Sequence, residues 1–197
     1  MDDLDLNDLE QRVKLRELKI LSDNHYILRR ATFDFRRSDG SWQSQMRECY
    51  DIGDGAAVLP IDKARGLVVL VRQFRWPLFE AGCYRLSIEA PAGKLDGDAP
   101  EACIRREAME EAGITLGAVR RVFHSFSTPG AVKERLSLFL GDYDSTAPRA
   151  AGGGHPHEGE DIDILEIPLA EADAMVRSGE IDDAKTIMLI QAALLGR

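Results

Sequence analysis

Three glutamates, Glu107, Glu110 and Glu111, crowd the stretch Arg106-Glu107-Ala108-Met109-Glu110-Glu111-Ala112-Gly113-Ile114. If the stretch is helical, a turn of about 100° per residue puts all three within roughly a 100° arc. Ile104, Ala108 and Ala112 form an adjacent apolar stripe that can pack on a sheet. Like charges at i,i+3 and i,i+4 repel, so such a face needs compensation. Arg106, four residues before Glu110, can pair with it; Glu107 and Glu111 have no obvious partner within the helix. A divalent cation would supply one, because carboxylates with waters are what Mg²⁺ or Mn²⁺ prefers, commonly shared with the phosphate oxygens of a substrate. The competing explanation is a plain solvated acidic face, which the Glu-Glu spacing taken alone favours.

Local signals frame that helix and the elements around it. It is predicted over Pro100 to Ala112: Asp98 and Glu101 have capping-box spacing, Pro100 suits a first turn, and Gly113 suits a C-terminal stop. From Val13 to Tyr50 the texture is β, with Val13 and Leu15, then Leu18 and Ile20, alternating with charges and Arg16-Glu17 breaking the period. Tyr26 to Phe35 and Trp42 to Tyr50 form a hairpin about a turn at Arg37-Ser38-Asp39-Gly40-Ser41. Gly55 to Ile61 and Leu67 to Phe74 form a second hairpin, and Leu67-Val68-Val69-Leu70-Val71 is dense enough to be buried on both faces. Arg75 to Gly82 reads as a loop, and Arg85 to Ala90 as a short strand leading into Pro91-Ala92-Gly93. Strands are expected at Val119 to Ser125, Leu136 to Tyr143 and Ile162 to Ile167, and helices at Leu169 to Arg177 and Ala184 to Leu195. Thr128-Pro129-Gly130 shapes a loop, and Ala150 to Glu160 reads as a mobile, Gly-rich one. The class is α+β, a mixed sheet flanked by helices.

Composition narrows the functions such a chain can serve. Its 197 residues suit a single medium-sized domain, with 44% apolar and 30% charged residues in the ordinary globular range. Lys and Arg number 25 against 34 Asp and Glu, a net charge of −9, which opposes sequence-independent nucleic-acid binding. No apolar run approaches the roughly 20 residues of a membrane span. Met1-Asp2-Asp3-Leu4-Asp5 is unlike the basic start of a secretory signal, and the leader's Asp2, Asp3, Asp5, Asp8 and Glu10 read as solvated. Cys49, Cys83 and Cys103, three thiols in no CxxC pattern, point to a reducing cytoplasm and against a zinc site. Cys103 reads as a small core residue, and His155 and His157 as solvated histidines in preference to a metal pair. On formal charge alone, an anionic substrate would be repelled.

The whole pattern around the glutamates is far more specific than their spacing. It resembles the signature of the Nudix hydrolases, Gly-x5-Glu-x7-Arg-Glu-aliphatic-x-Glu-Glu-x-Gly-aliphatic. Arg106 to Ile114 matches its second half, with a small Ala108 at the aliphatic position. In the first half Asp98 stands where Glu is usual, and only four residues separate it from Gly93. Further segments, among them Arg47-Glu48, Val71-Arg72-Gln73-Phe74-Arg75, Ile88-Glu89, Ala92-Gly93, Pro129-Gly130 and Gly152-Gly153-Gly154, resemble the nucleoside-diphosphate-sugar branch that acts on GDP-mannose. That branch is close kin to the ADP-ribose pyrophosphatases.

The resemblance implies a Nudix fold, an α/β/α sandwich with a mixed sheet, over residues 51–197. It implies an N-terminal antiparallel β-region, residues 1–50, that serves dimerisation and substrate contacts in a homodimer. The implied metal ligands are Glu107, Glu111, Glu160 and the backbone carbonyl of Ala92, with Mg²⁺ as cofactor and Mn²⁺ as a substitute. Arg47, Glu48, Arg75, Glu134 and Lys185 match positions that hold the nucleotide sugar. His25 lies where a relative has an aromatic residue near the nucleotide, and Met46 replaces a basic one. The catalytic set is Glu111, Glu160 and Glu158; metal ligation is favoured for Glu160, and the general base stays open between Glu160 and Glu158. The implied reaction is Mg²⁺-dependent hydrolysis of GDP-mannose to GMP and mannose 1-phosphate in the cytoplasm. Alternatives are ADP-ribose hydrolysis to AMP and ribose 5-phosphate, and a non-catalytic nucleotide-sugar sensor. Nucleic acid and membrane are not among the expected partners.

Overall fold

The computed structural model describes residues 9–155, 157 and 159–196, so most of the acidic leader and Glu158 lie outside the described residues. Two compact units emerge, one made of the chain up to Gly53 together with Phe126–Glu134, the other of Asp54–Ser125 and Arg135–Arg197.

The first unit is a four-stranded sheet in the order β1-β2-β3-β9, with β1 at Val13–Asp23, β2 at Ile27–Arg36, β3 at Trp42–Asp51 and β9 at Val132–Lys133. A four-residue helix, α1, Leu9–Arg12, precedes it. The expected hairpin pairs β2 with β3 from Ile27↔Asp51 to Arg36↔Trp42. The broken period at Arg16-Glu17 is a register shift between Leu15 and Glu17, which restores Leu18 and Ile20 to alternation. The two-residue strand β9 was not foreseen: the chain after Pro129-Gly130 runs parallel to β3, at Tyr50↔Val132 and Asp51↔Lys133. Asp51 fastens it, accepting from Arg29 at 2.5 Å and from Lys133 at 3.1 Å.

The second unit is a helix–sheet–helix sandwich. Its sheet runs β11-β5-β4-β10-β8, with β6 added to β5 and β7 to β4. The strands are β4 Gly55–Asp62, β5 Leu67–Gln73, β6 Ser87–Glu89, β7 Ala92–Lys94, β8 Val119–Phe126, β10 Arg135–Asp142 and β11 Asp163–Pro168. β4 is antiparallel to β5 and parallel to β10, so the sheet is mixed. Alternate β4 side chains feed two cores. Ala57, Leu59 and Ile61 pack with Ala172 of α4 (Leu169–Ser178) and with Leu189 and Ile190 of α5 (Ala184–Leu194). Ala56 and Val58 pack on the other face with Cys103, Ile104, Ala108 and Ala112 of α3 (Pro100–Ala112). Val68 to Val71 are fully buried, as a strand covered on both faces should be.

Three local readings need correction. Arg75 to Gly82 is not all loop: Trp76–Glu80 forms a one-turn helix, α2, with Pro77 in its first turn. The strand expected over Arg85 to Ala90 is shorter, Ser87–Glu89, and after Pro91 the chain forms a further strand, Ala92–Lys94, that pairs with β4 from Ala57↔Ala92 to Gly55↔Lys94. There is also no capping box at Asp98. Pro100 restricts the residue before it to extended backbone, so Ala99 (φ −66°, ψ 141°) is the N-cap and offers no side-chain acceptor. Asp98 instead lies 4.0 Å from Arg106.

Candidate functional site

The three box glutamates are not equivalent. Glu107 and Glu111 are 8% and 2% exposed on the sheet side of α3, whereas Glu110 is half-buried farther out. Arg106 pairs with Glu110 at 3.0 Å as expected, and with Glu107 at 2.8 Å, so Glu107 has a helix partner after all. A flexible arginine reaches its neighbour when the shared target is one acidic edge. Among the described residues, Glu111 receives only the amide N–H of Ala92, at 3.2 Å. Gly93 is what lets Glu107 lie against β7. A Cβ there would fall on the Glu107 carboxyl and stand 2.8 Å from its Cγ.

Glu160 arrives from the Gly-rich segment. Its carboxylate accepts the amide N–H of His155 at 2.8 Å, and the His155 ring stands 3.4 Å from Glu110. Electrostatics tie this carboxylate to the other two. Burial first, then repulsion from Glu107 and Glu160, pushes Glu111 up to about 8, against the Ala92 amide and Arg75. Burial also raises Glu107; Arg106 opposes it, and Glu110 and Glu160 add to it. Among the described residues, no three Asp, Glu, His or Cys side chains form a closed metal cage. Mutually repelling carboxylates, one of them deeply buried with no cationic side chain bonded to it among the described residues, are nonetheless a donor set that a hard divalent ion fits.

Beside them stands an ion cluster that the sequence reading missed. Glu89, at the end of β6 and 3% exposed, accepts both arms of the Arg75 guanidinium at 2.9 Å and Lys185 Nζ at 2.6 Å. Lys185 also bonds Asp183 at 2.9 Å. Asp183 is the N-cap of α5, accepting from the Thr186 N–H and hydroxyl, and Thr186 Oγ1 accepts the Ala90 N–H at 2.7 Å. Burial alone would raise Glu89, but Arg75 and Lys185 hold it well below the usual carboxylate range. Arg75 and Lys185, expected to hold the nucleotide sugar, are thus anchored at one carboxylate 14 residues from the first and 96 from the second. The overlooked signal was a charged residue, Glu89, between apolar Ile88 and Ala90 in a short strand.

The remaining expected residues lie in the first unit. Arg47 and Glu48 sit on exposed positions of β3, with Arg47 donating to the Met46 carbonyl at 2.7 Å. Half-buried Glu134 follows β9, its carbonyl accepting the Ser127 N–H at 3.3 Å. Exposed His25 has its ring 4.3 Å from that of Tyr26. The second unit brings together Glu107, Glu111 and Glu160, near Arg75, with Lys185 joined to Arg75 through Glu89. Cys103 is buried in the core as expected, and its Sγ donates to the Lys94 carbonyl at 3.3 Å.

Residues 51–189 match the model of the NUDIX domain. The chain belongs to the Nudix hydrolase family. Residues 12–50 match a second model, the GDP-mannose pyrophosphatase NudK N-terminal domain. The enzyme class and the fold expected of a Nudix hydrolase are thereby borne out, and hydrolases of this family generally depend on a divalent metal. Among curated relatives, GDP-mannose pyrophosphatase of Pectobacterium atrosepticum is 45% identical over 184 residues, 93% of this chain and 94% of the relative. The enzyme of the same name from Cronobacter sakazakii is 46% identical over 180 residues, 91% and 93% of the two chains. A solved structure described as an ADP compounds hydrolase shares the fold, with a TM-score of 0.70 at 14% identity over 93% of this Nudix chain and 92% of the other. No helix among the described residues is long and apolar enough to cross a membrane.

Proposed function

We propose that this Nudix chain is a Mg²⁺-dependent pyrophosphatase that splits GDP-mannose into GMP and mannose 1-phosphate. The observation that carries the reading is its likeness to GDP-mannose pyrophosphatases along nearly the whole of both chains. The buried carboxylates Glu107 and Glu111 supply the chemistry that such a reaction needs.

In this reading Glu107, Glu111, Glu160 and the Ala92 carbonyl hold Mg²⁺. When bound, the ion would neutralise charge on the pyrophosphate and lower the pKa of the attacking water. The base is Glu160 or Glu158, with ligation favoured for Glu160. Arg75 offers a planar fork and Lys185 a point charge to the phosphates, both pre-positioned by Glu89. Arg47, Glu48, Glu134 and His25 contact the nucleotide sugar from the N-terminal unit. That unit, with its boundary near residue 50, also makes the homodimer; exposed Leu15, Leu18 and Ile20 on β1 and Met46 on β3 support this. Three unbridged cysteines accord with a cytoplasmic enzyme.

The test is GMP release from GDP-mannose, run beside ADP-ribose with Mg²⁺ or Mn²⁺. Release should stop in EDTA and fall by at least about 100-fold in Glu111→Gln, which loses a charge required at the metal. In metal-free buffer the same variant should melt higher than wild type, because it removes a buried, repelled carboxylate. Faster turnover of ADP-ribose would reassign the substrate. Turnover indifferent to EDTA would refute the metal reading, and nucleotide binding without turnover under any divalent ion would make the protein a sensor.

A further inference from the structure

The Gly-rich segment does not have the bonding of a loop left to solvent. Helix α3 ends with carbonyls that need donors outside the helix. Gly113, in the left-handed region at φ 66°, returns its own N–H to Met109 and directs the Ile114 N–H to Ala108. The next two carbonyls, of Glu110 and Glu111, accept the amides of Gly154 at 3.0 Å and Gly153 at 2.9 Å. Ala150 N–H donates to the Gly113 carbonyl at 3.0 Å, and this approach leaves no room for a Gly113 side chain. The segment therefore closes the end of the helix that carries Glu107 and Glu111.

The three glycines have different reasons to be glycine. All have positive φ, at 62°, 94° and 77° for Gly152, Gly153 and Gly154. A Cβ on Gly152 would stand 2.9 Å from the Glu111 carbonyl oxygen and from the Ala112 carbonyl carbon. One on Gly154 would stand 2.5 Å from Glu160 Oε2 and 2.8 Å from Glu160 Cβ. One on Gly153 would meet only the Ile162 carbonyl, at 3.9 Å. Two residues thus need the missing side chain for close packing, and one needs only the backbone conformation.

We infer that Gly152-Gly153-Gly154 is a latch on the C-terminus of α3, and that Gly154 is a positioning residue that sets Glu160 beside Glu107 and Glu111. The inference rests on the reading of Glu160 as the third carboxylate of the metal site. The latch joins two ligand-bearing segments through backbone bonds: of the two amides that cap Glu110 and Glu111, the one on Glu110 belongs to Gly154, the residue packed against Glu160. Access of Glu160 to the cation is then coupled to the integrity of the helix end, and replacing Gly154 displaces the carboxylate without touching any ligand.

The comparison of Gly154→Ala with Gly153→Ala tests this, since both carry left-handed strain but only the first meets Glu160. Both should lower the urea midpoint, Gly154→Ala by the larger amount because its Cβ also meets Glu160. Gly154→Ala should weaken binding of Mn²⁺ alone, read by calorimetry without nucleotide, by at least tenfold, and lower kcat by about 100-fold, the scale of a 1 Å misplacement. Gly153→Ala should stay within about threefold of wild type in both. Equal Mn²⁺ affinity and kcat in the two variants would overturn the inference. Hydrogen exchange of the metal-free wild type gives a readout without variants: the Gly153 and Gly154 amides should be protected to the level of α3's own amides, and random-coil exchange there would overturn the latch. Failure of wild type itself to bind Mn²⁺ would instead refute the metal-site reading while leaving the exchange result to decide the latch.

Discussion

Replacing Glu89 by Gln should destabilise the protein far more than a surface charge change would. The carboxylate is 3% exposed and takes three charge-assisted hydrogen bonds, two from Arg75 at 2.9 Å and one from Lys185 at 2.6 Å. Together with Asp183 the four groups are neutral; Glu89→Gln leaves one positive charge over. Removing one partner of a buried pair costs about 3–5 kcal/mol. The lower end applies here, about 3 kcal/mol, because Arg75 is 41% exposed and can rehydrate, while Lys185, at 14%, keeps Asp183. In a chain of 197 residues each kcal/mol moves Tm by about 2–4 °C, so a fall of roughly 6–12 °C follows. Urea unfolding at pH 7 measures the change directly. It should be nearly the same at low and high salt, since a buried pair is little screened. A loss below about 1 kcal/mol, or one that vanishes in 0.5 M salt (about a 4 Å screening length), would refute the reasoning and make the cluster a solvated surface network.

Two further outcomes follow from the same reasoning about burial and contact. In Gly93→Ala, the new Cβ would stand 2.8 Å from Glu107 Cγ, where carbon contacts need about 3.5–4.0 Å. The carboxyl, on which the Cβ falls, must retreat by more than about 1 Å, so kcat should fall by at least about 100-fold, and a wild-type kcat would refute the contact. Asp62 is buried at the end of β4 and accepts from the Ser145 hydroxyl at 2.6 Å and from the amides of Ser145, Ala64 and Arg65. The Ser145 hydroxyl chiefly, against burial, holds its pKa down from 3.8 to about 2. Its folded value is below the unfolded one, so the stabilisation is full above about pH 4 and is lost as pH falls through about 2. The stability gap between wild type and Asp62→Asn should therefore shrink across that window, and a gap independent of pH would contradict it.

Local chemistry determined a good deal of this protein from its sequence alone. Pro100 and Gly113 bound α3, because one fixes φ at a first helical turn and the other takes the left-handed conformation at its end. Runs rich in apolar and β-branched residues placed β2, β3, β4 and β5, and the Arg16-Glu17 break announced the β1 bulge. The family was legible because a box of contacts every three or four residues is itself local. What only the tertiary structure decided depends on groups far apart in the chain. Glu89 gained its meaning from Lys185, 96 residues on. The short strands β7 and β9 exist through their pairing with β4 and β3, since two or three residues carry no periodicity of their own. The capping box at Asp98 failed because Pro100 set the N-cap one residue later. The Gly-rich stretch looked mobile because glycine composition signals freedom; at Gly152 and Gly154 backbone or carboxylate packs too closely for a Cβ. Composition reports which conformations a residue can take, and only the packed neighbours decide which one it keeps.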